Sequence, residues 1–401
     1  MGKRSISIFK VTSLILLIIF VSMPIHFADA AIKTFVKEYT HRVGDEDSRN
    51  GSRTIALRRV KELLLEELGV YLESQTEYKN SLMTSTQLIV LTAGIVSTEL
   101  IDEKWDGKVY WLKAKIAVDT QDVIKKIDNL RKDRAKVQEL TALRKKSEEL
   151  LQENERLKKE FIVAKGGAKQ ETTQAYNQNI NNLSAIEWYE RGFGLVTSGN
   201  YNDAEKAFSK AIELNPLYAT AYVNRGNVFY VLGNPQQAID DFNKAIDLNP
   251  RLAEAYNNRG VAYGDKFGNY QQEIQDTNKA IELNPQYAGA YYNRGLTFGK
   301  LGNYQQAIQD TNKAIALNPQ FAEAYHKRGL LYGMLGNYQQ EIKDYNKAIE
   351  LNPQLAEAYN SRGRVYGEFG NYQQSIEDYK IAARLGLKLA QDFLRSRGIG
   401  W

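Results

Sequence analysis

The chain has 401 residues, 43% hydrophobic and 25% charged, with a formal net charge of +5, which is the profile of ordinary globular protein with room for two or three domains. That charge is too small and too dispersed for a nucleic-acid-sized basic field; its densest stretch, residues 121–165, holds 13 basic against 9 acidic side chains. The absence of cysteine excludes disulfides, thiolate chemistry and cysteine-ligated metal.

Residues 1–30 read as a secretory signal peptide. Lys3, Arg4 and Lys10 precede an apolar run from Val11 to Val21, and Ala28-Asp29-Ala30 offers a small-x-small cleavage site before Ala31. The run is short against the ~20 residues of a membrane span, and Pro24, His26 and Asp29 break the apolar character immediately after it. The expectation is a protein exported across the inner membrane, periplasmic or envelope-associated, meeting the membrane only through this segment before cleavage.

Residues 31–120 predict a small α/β domain. Ile32 to His41 is rich in strand formers, and Asp45-Glu46-Asp47-Ser48 supplies a helix start. Ala56, Val60, Leu64, Leu68 and Leu72 form one stripe of the next helix. A short helix is expected over Thr84 to Leu91. Two β-like runs, Ile95 to Trp105 and Lys108 to Val118, flank Asp106-Gly107, which favours a type I′ hairpin. Alternation of Tyr110, Leu112, Ala114 and Ile116 with Lys113 and Lys115 predicts one buried and one wet face.

Residues 121–165 predict a charged helical spacer. Leu140, Leu143, Ser147, Leu150, Asn154, Leu157 and Phe161 keep 3-4 spacing, like a coiled-coil seam. It serves either a homodimer through residues 121–165, with Asn154 fixing register, or a single helix packed on its neighbours. Fully helical, this stretch would span ~65 Å. Residues 166–183, rich in Gly, Gln, Asn and Thr, read as a flexible linker.

From Ser184 the sequence repeats. Pro216, Pro250, Pro285, Pro319 and Pro353 fall at steps of 34, 35, 34 and 34. Six Gly-Asn pairs recur, at 199, 233, 268, 302, 336 and 370. A large aromatic residue opens each unit (Trp188, Tyr222, Tyr256, Tyr291, Tyr325, Tyr359), and a glycine stands four residues later. The small residue of the second helix is Ala204, Ala238 and Ala307, but Glu273, Glu341 and Ser375 in the other copies. This grammar resembles the tetratricopeptide repeat. It implies six helical hairpins over residues 184–386, stacked as a superhelical solenoid, with residues 387–401 as capping helix and tail. The whole is then a multi-domain chain. The pattern of residues 31–120, with its "ALRRVKELLLEEL" helix and Thr92-Ala93-Gly94-Ile95-Val96 entry, resembles the N-terminal domains of flagellar-assembly T proteins and related surface lipoproteins. That likeness implies a bacterial envelope role without catalysis.

The tetratricopeptide resemblance places a peptide or protein client on the inner face, at Asn224, Asn227, Asn257, Asn258, Tyr292, Asn293, His326, Lys327, Asn360 and Arg364. Asn224, Asn258 and Asn293 hold one position in three successive repeats, and such a row resembles the asparagine ladder of tetratricopeptide glycosyltransferases. Lys327 alone does not reproduce the clamp of chaperone-binding members. Arg225, Arg259, Arg294, Arg328 and Arg362 recur with Asp241, Asp276, Asp310, Asp344 and Asp378 and read as interhelical pairs. Beyond the signal segment only His41 and His326 remain, and neither a phosphate loop nor a nucleophile elbow appears. The expected function is an exported, non-enzymatic interaction scaffold, with no catalytic residue, cofactor or metal. Two rivals stand beside it: a structural part of an envelope assembly organised by the N-terminal domain, and a cryptic enzyme or carbohydrate-related enzyme subunit.

Overall fold

The computed structural model describes residues 32–44, 47–74, 85–132 and 134–401. The signal peptide expected over 1–30, the acidic pair 45–46 and the helix start expected at Thr84 lie outside the described residues.

The first unit contains β1 (Ile32–Arg42), α1 (Arg49–Ser74), α2 (Ser85–Ala93), β2 (Glu99–Trp105) and β3 (Val109–Asp119). β1 and β2 flank β3, both antiparallel to it. Alternation along β3 sends Tyr110, Leu112, Ala114 and Ile116 to one face. They pack in one core with Ala56, Val60, Leu64, Leu68 and Leu72 of α1. Burying one such leucine or isoleucine stabilises by about 1.5–3 kcal/mol. Ser48 caps α1, its Oγ accepting from the Gly51 amide at 3.0 Å.

The hairpin differs from the expected type. Asp106 N donates to Val109 O at 3.3 Å, so Gly107 and Lys108 are the central residues. Positive φ is confined to Gly107, at 87°, which is the pattern of a type II′ turn and not of type I′. The Asp106 carboxylate sets this register by accepting from the Lys108 and Val109 amides at 2.8 and 2.7 Å.

Three helices come next: α3 (Thr120–Lys132), α4 (Arg134–Val163) and α5 (Gly167–Thr197). They correct two expectations. Residues 166–183 are not a flexible linker, because α5 runs unbroken from Gly167 into the first repeat. Tyr176, Ile180 and Leu183 stand at 3-4 spacing among the asparagines and glutamines, and all three are buried. Their burial stabilises a helix that composition alone would not. Gly166, at φ 59°, makes the reversal between α4 and α5. The second correction concerns the seam. Leu143, Leu150 and Leu157 share a core with Tyr176, Ile180, Leu183 and Ile186. The seam is thus covered by α5 of the same chain, and a homodimer through residues 121–165 has no free stripe to use. Nor is the spacer a free-standing rod, since α4 folds back against α5.

The C-terminal half of α5 pairs with α6 (Tyr201–Leu214) as the first hairpin. Five more complete the array: α7 (Ala219–Val231) with α8 (Pro235–Leu248), α9 (Ala253–Phe267) with α10 (Tyr270–Leu283), α11 (Ala288–Lys300) with α12 (Tyr304–Leu317), α13 (Ala322–Met334) with α14 (Tyr338–Leu351), and α15 (Ala356–Glu368) with α16 (Tyr372–Arg384). The amphipathic α17 (Lys388–Ser396) closes the stack, burying Ala390 and Leu394 and setting Phe393 on Tyr379. The glycine of every Gly-Asn pair has positive φ and ends the first helix of its hairpin. At the far end, Asn215, Asn249, Asn284, Asn318 and Asn352 accept at Oδ1 from the amide two residues on, beyond the intervening proline, at 3.1–3.2 Å.

The recurrent arginines act between helices. Arg259 grips Asp276 bidentately at 2.7 and 2.8 Å and donates to Asn243 of the preceding hairpin at 2.7 Å. Arg225, Arg294, Arg328 and Arg362 repeat this arrangement. Each guanidinium therefore ties three helices together and sits over a tyrosine of its own helix.

Glutamate at the small-residue position is accommodated by glycine opposite. A Cβ on Gly264 would lie 1.8 Å from Glu273 Oε2, and one on Gly333 would lie 2.5 Å from Glu341 Oε2. The Glu341 carboxylate cannot swing aside freely, because Oε1 accepts from Tyr345 OH at 2.8 Å and from Arg364 at 2.7 Å. Gly333→Ala is expected to destabilise the chain by about 1–2 kcal/mol, despite the ~1 kcal/mol that alanine gains over glycine within a helix. Adding Glu341→Ala should recover most of that loss in urea unfolding. If the two effects simply add, the notch is not what holds this hairpin together.

Candidate functional site

The inner face is formed by the first helix of each hairpin, and the structure fills its N-terminal end with α4. Glu139 receives the Tyr189 hydroxyl and, at 3.4 Å, the Asn224 amide. Lys136 reaches Asn224 Oδ1 at 3.4 Å and Glu254 at 3.8 Å, and lies over the Phe193 ring. Residues from repeats one, two and three thus hold a helix of their own chain.

Beside α4 the inner face opens into a cleft of about 940 Å³. Leu143, Lys146 and Leu150 of α4 form one wall, and the loops between hairpins form the other with Leu217, Tyr218, Arg251, Leu252 and Tyr287. Ile186 and Tyr189 lie at its base. Tyr218 stacks on Tyr189 with ring centroids 5.0 Å apart, and burial pushes both phenols well above their ordinary value. They stay neutral and act as hydrophobic wall with a polar edge. The cleft is therefore apolar within and carries Lys146 and Arg251 along its sides.

The predicted asparagine row is present but largely hydrogen-bonded to itself. Asn293 Nδ2 donates to Asn257 Oδ1 at 3.0 Å, Asn257 Nδ2 to Asn258 Oδ1 at 2.9 Å, and Asn258 Nδ2 to Asn227 Oδ1 at 2.8 Å. A directed chain of amides thus links repeats two, three and four. Asn224 is buried, donating to Tyr189 at 2.6 Å and to the Thr220 carbonyl at 3.1 Å. Tyr292 packs on Phe321, and burial pushes its hydroxyl up to about 12. His326 is buried 3.0 Å from Ser361 Oγ; burial first, and then the Lys327 charge, bring its imidazole down to about 4. Arg364 pairs with Glu341 and Glu368. Asn360 holds Oδ1 buried without a hydrogen-bond partner among the described residues. Lys327 is half-buried on α13.

Sequence reasoning missed both walls of the cleft. An apolar residue recurs two places after each closing proline, at Tyr218, Leu252, Tyr287, Phe321 and Leu355, and that recurrence was the available signal. No comparable signal ties α4 to the repeats. Among the described residues, no group of three or more histidine or acidic side chains is placed to hold a metal ion, and no helix is long and apolar enough to cross a membrane.

Comparison with known proteins identifies the repeats. Family models described as tetratricopeptide or TPR repeat match residues 195–252 and, overlapping one another, 268–385. Among solved structures, MamA is 31% identical, covering 41% of this chain and 96% of its own, with a TM-score of 0.35. YrrB, described as a TPR protein with an unusual peptide-binding site, is 24% identical over 48% of this chain and 99% of its own, with a TM-score of 0.37. PilF of Pseudomonas aeruginosa is 20% identical over 54% of this chain and 99% of its own, with a TM-score of 0.47. No curated protein matches.

Proposed function

This chain belongs to the tetratricopeptide-repeat family, and from that premise we propose that it is an interaction scaffold holding a peptide or protein segment in the cleft between α4 and repeats one to four. The observation that carries the reading is the cleft itself. Its size, about 940 Å³, lies in the range of sites that enclose a bound segment. Tyrosine and leucine line it, offering apolar area at low entropic cost. None of the ten residues named from sequence lines the cleft; we propose that they continue the binding surface past it, toward the unpartnered Oδ1 of Asn360 in the C-terminal repeats. We further propose that the scaffold works in the bacterial envelope, a reading supported by the charge, apolar run and cleavage pattern of residues 1–30.

The test is selection of peptides from a random library on the folded chain, with the bound positions then mapped. Leu217, 76% exposed, and Arg251 are replaced one at a time by a photo-cross-linking amino acid, with Lys279 on α10 as control. Selected peptides should cross-link at 217 and 251 and not at 279. Leu217→Glu with Arg251→Glu should weaken them by about tenfold or more while circular dichroism and melting stay unchanged. Cross-linking at 279 alone, or undiminished binding by the double variant, would place the client elsewhere.

A further inference from the structure

A second cleft, of about 660 Å³, lies where the three-stranded domain meets the first repeat and shares no lining residue with the first. Leu57 of α1, Ile95 before β2, Leu100 within it, and Trp188 and Leu195 of α5 give it apolar walls. Two of the residues lining it carry a buried oxygen with no hydrogen-bond partner among the described residues: Glu187 Oε1 and Thr98 Oγ1. Leaving such groups unmet in a protein interior is costly, so two unmatched residues lining one cavity mark a place where a donor belongs.

The charges around the cleft decide which donor. Each of the other lining carboxylates has its cation: Glu190 holds Arg58 at 3.1 Å and also Lys61, and Glu99 holds Lys115 at 3.2 Å. Arg53 is bound to Glu103 at 2.8 Å, and Arg191 lies on the Trp188 ring. Glu187 is the lining carboxylate left without an ion pair among the described residues. An anionic ligand would meet two carboxylates and leave Oε1 unmet. An ammonium would pair with Glu187, donate to Thr98, and lay its methylenes along Leu57, Leu100 and Trp188. We infer that this cleft is a binding site for the aliphatic ammonium of a lysine side chain presented by a peptide, received by Glu187 and Thr98. The inference rests on this cleft alone and is independent of where the client of the repeats binds.

Burial raises the Glu187 carboxyl to about 7, against the pull of Arg58, Lys61 and Arg53 and with the repulsion of Glu190 adding to it. The site therefore accepts an ammonium best once that carboxyl is ionised. Affinity should rise from about pH 6 to about pH 8, where lysine is still charged.

The probes are the peptide Ac-Ala-Leu-Lys-Leu-Ala-amide, the same peptide with acetyl-lysine or norleucine in place of lysine, and cadaverine, titrated calorimetrically into the full chain. The lysine peptide should bind about tenfold or more tighter than either neutral peptide, and its affinity should rise with pH. Glu187→Gln should abolish both the preference and the pH dependence, and Thr98→Val should weaken binding with the pH dependence kept. Equal binding of the acetyl-lysine peptide, undiminished binding to E187Q, no saturable binding by any probe, or cadaverine binding as tightly as the peptide would each overturn the assignment. Native circular dichroism and a cooperative melt in E187Q and T98V guard against loss of fold, and should one variant fail to fold, the comparison among peptides on the unaltered chain still decides.

Discussion

Arg58→Leu is expected to lower the unfolding free energy by about 3 kcal/mol and to separate one unfolding transition into two. Arg58 is buried, and its Nη1 donates to both carboxylate oxygens of Glu190 at 3.1 Å. This pair bolts α1 of the sheet domain to the first repeat helix. Removing one member of a buried ion pair costs about 3–5 kcal/mol, because the survivor stays buried and uncompensated. Lys61 also donates to Glu190, which places the expectation at the lower end. Adding Glu190→Gln should restore a substantial part, since the orphaned charge then disappears.

The same junction sets a pH signature of two signs. Burial works to raise the Glu190 carboxyl, but Arg58 and Lys61 outweigh it and bring it from 4.5 down to about 2. A depressed carboxyl stabilises the fold above its unfolded value, and that stability is lost as pH falls from 4.5 toward 2. The raised Glu187 carboxyl works the other way, since the folded chain keeps a proton that the unfolded chain has released. Its contribution declines as pH rises from 4.5 to about 7. Chemical unfolding across pH should therefore show E187Q flattening the upper limb and R58L flattening the lower. A single transition of unchanged midpoint in R58L would mean that the two units are not coupled through this pair.

How much of the molecule was legible in its sequence depends on how many roles a residue can take. Proline after asparagine, and glycine before asparagine, each have one use in a helical hairpin, so the turns of the repeats were legible; the start of the array was not, because α5 already runs from Gly167. The Arg–Asp pairs were readable for a similar reason: opposite charges recurring in step at fixed spacing balance each other in the stack. An apolar stripe is less informative. Leu143, Leu150 and Leu157 announced that something covers them and said nothing of what; the cover, Tyr176, Ile180 and Leu183, stood in a segment whose glycines, asparagines and glutamines read as loop. Tertiary burial there outweighed local propensity. The asparagine row was legible as a recurrence at one repeat position. Its pairing was not, because an amide both donates and accepts, and neighbouring amides can satisfy one another as readily as a ligand.

Asp47→Ala is expected to cost about 3–5 kcal/mol and, more tellingly, to loosen the cleft from a distance. The Asp47 side chain is fully buried. It accepts from the Gly44 amide at 2.8 Å, from Lys158 of α4 at 2.8 Å and from Tyr176 of α5, with His41 of β1 3.2 Å away. One carboxylate thus pins the α4–α5 hairpin to the sheet. Burial would raise this carboxyl, but hydrogen bonds from His41, Gly44, Lys158 and Tyr176 hold it well below its ordinary 3.8. Its contribution is therefore complete above that value and lost as pH falls beneath it. Without it, Lys158 and Tyr176 lose the carboxylate to which both donate. The far half of α4 carries Glu139, Leu143 and Lys146, so a hairpin released at one end should sample positions that widen the cleft at the other. Hydrogen exchange across residues 134–163 should accelerate in D47A while α11 to α16 keep their protection. Selected peptides should weaken in proportion. Asp47→Asn, whose single amide oxygen can replace Oδ2 facing Gly44 and Lys158 or Oδ1 facing Tyr176 but not both, and which removes the charge facing Lys158, should fall between the two. Unaltered exchange in α4 would show that its packing on α5 alone holds the wall in place.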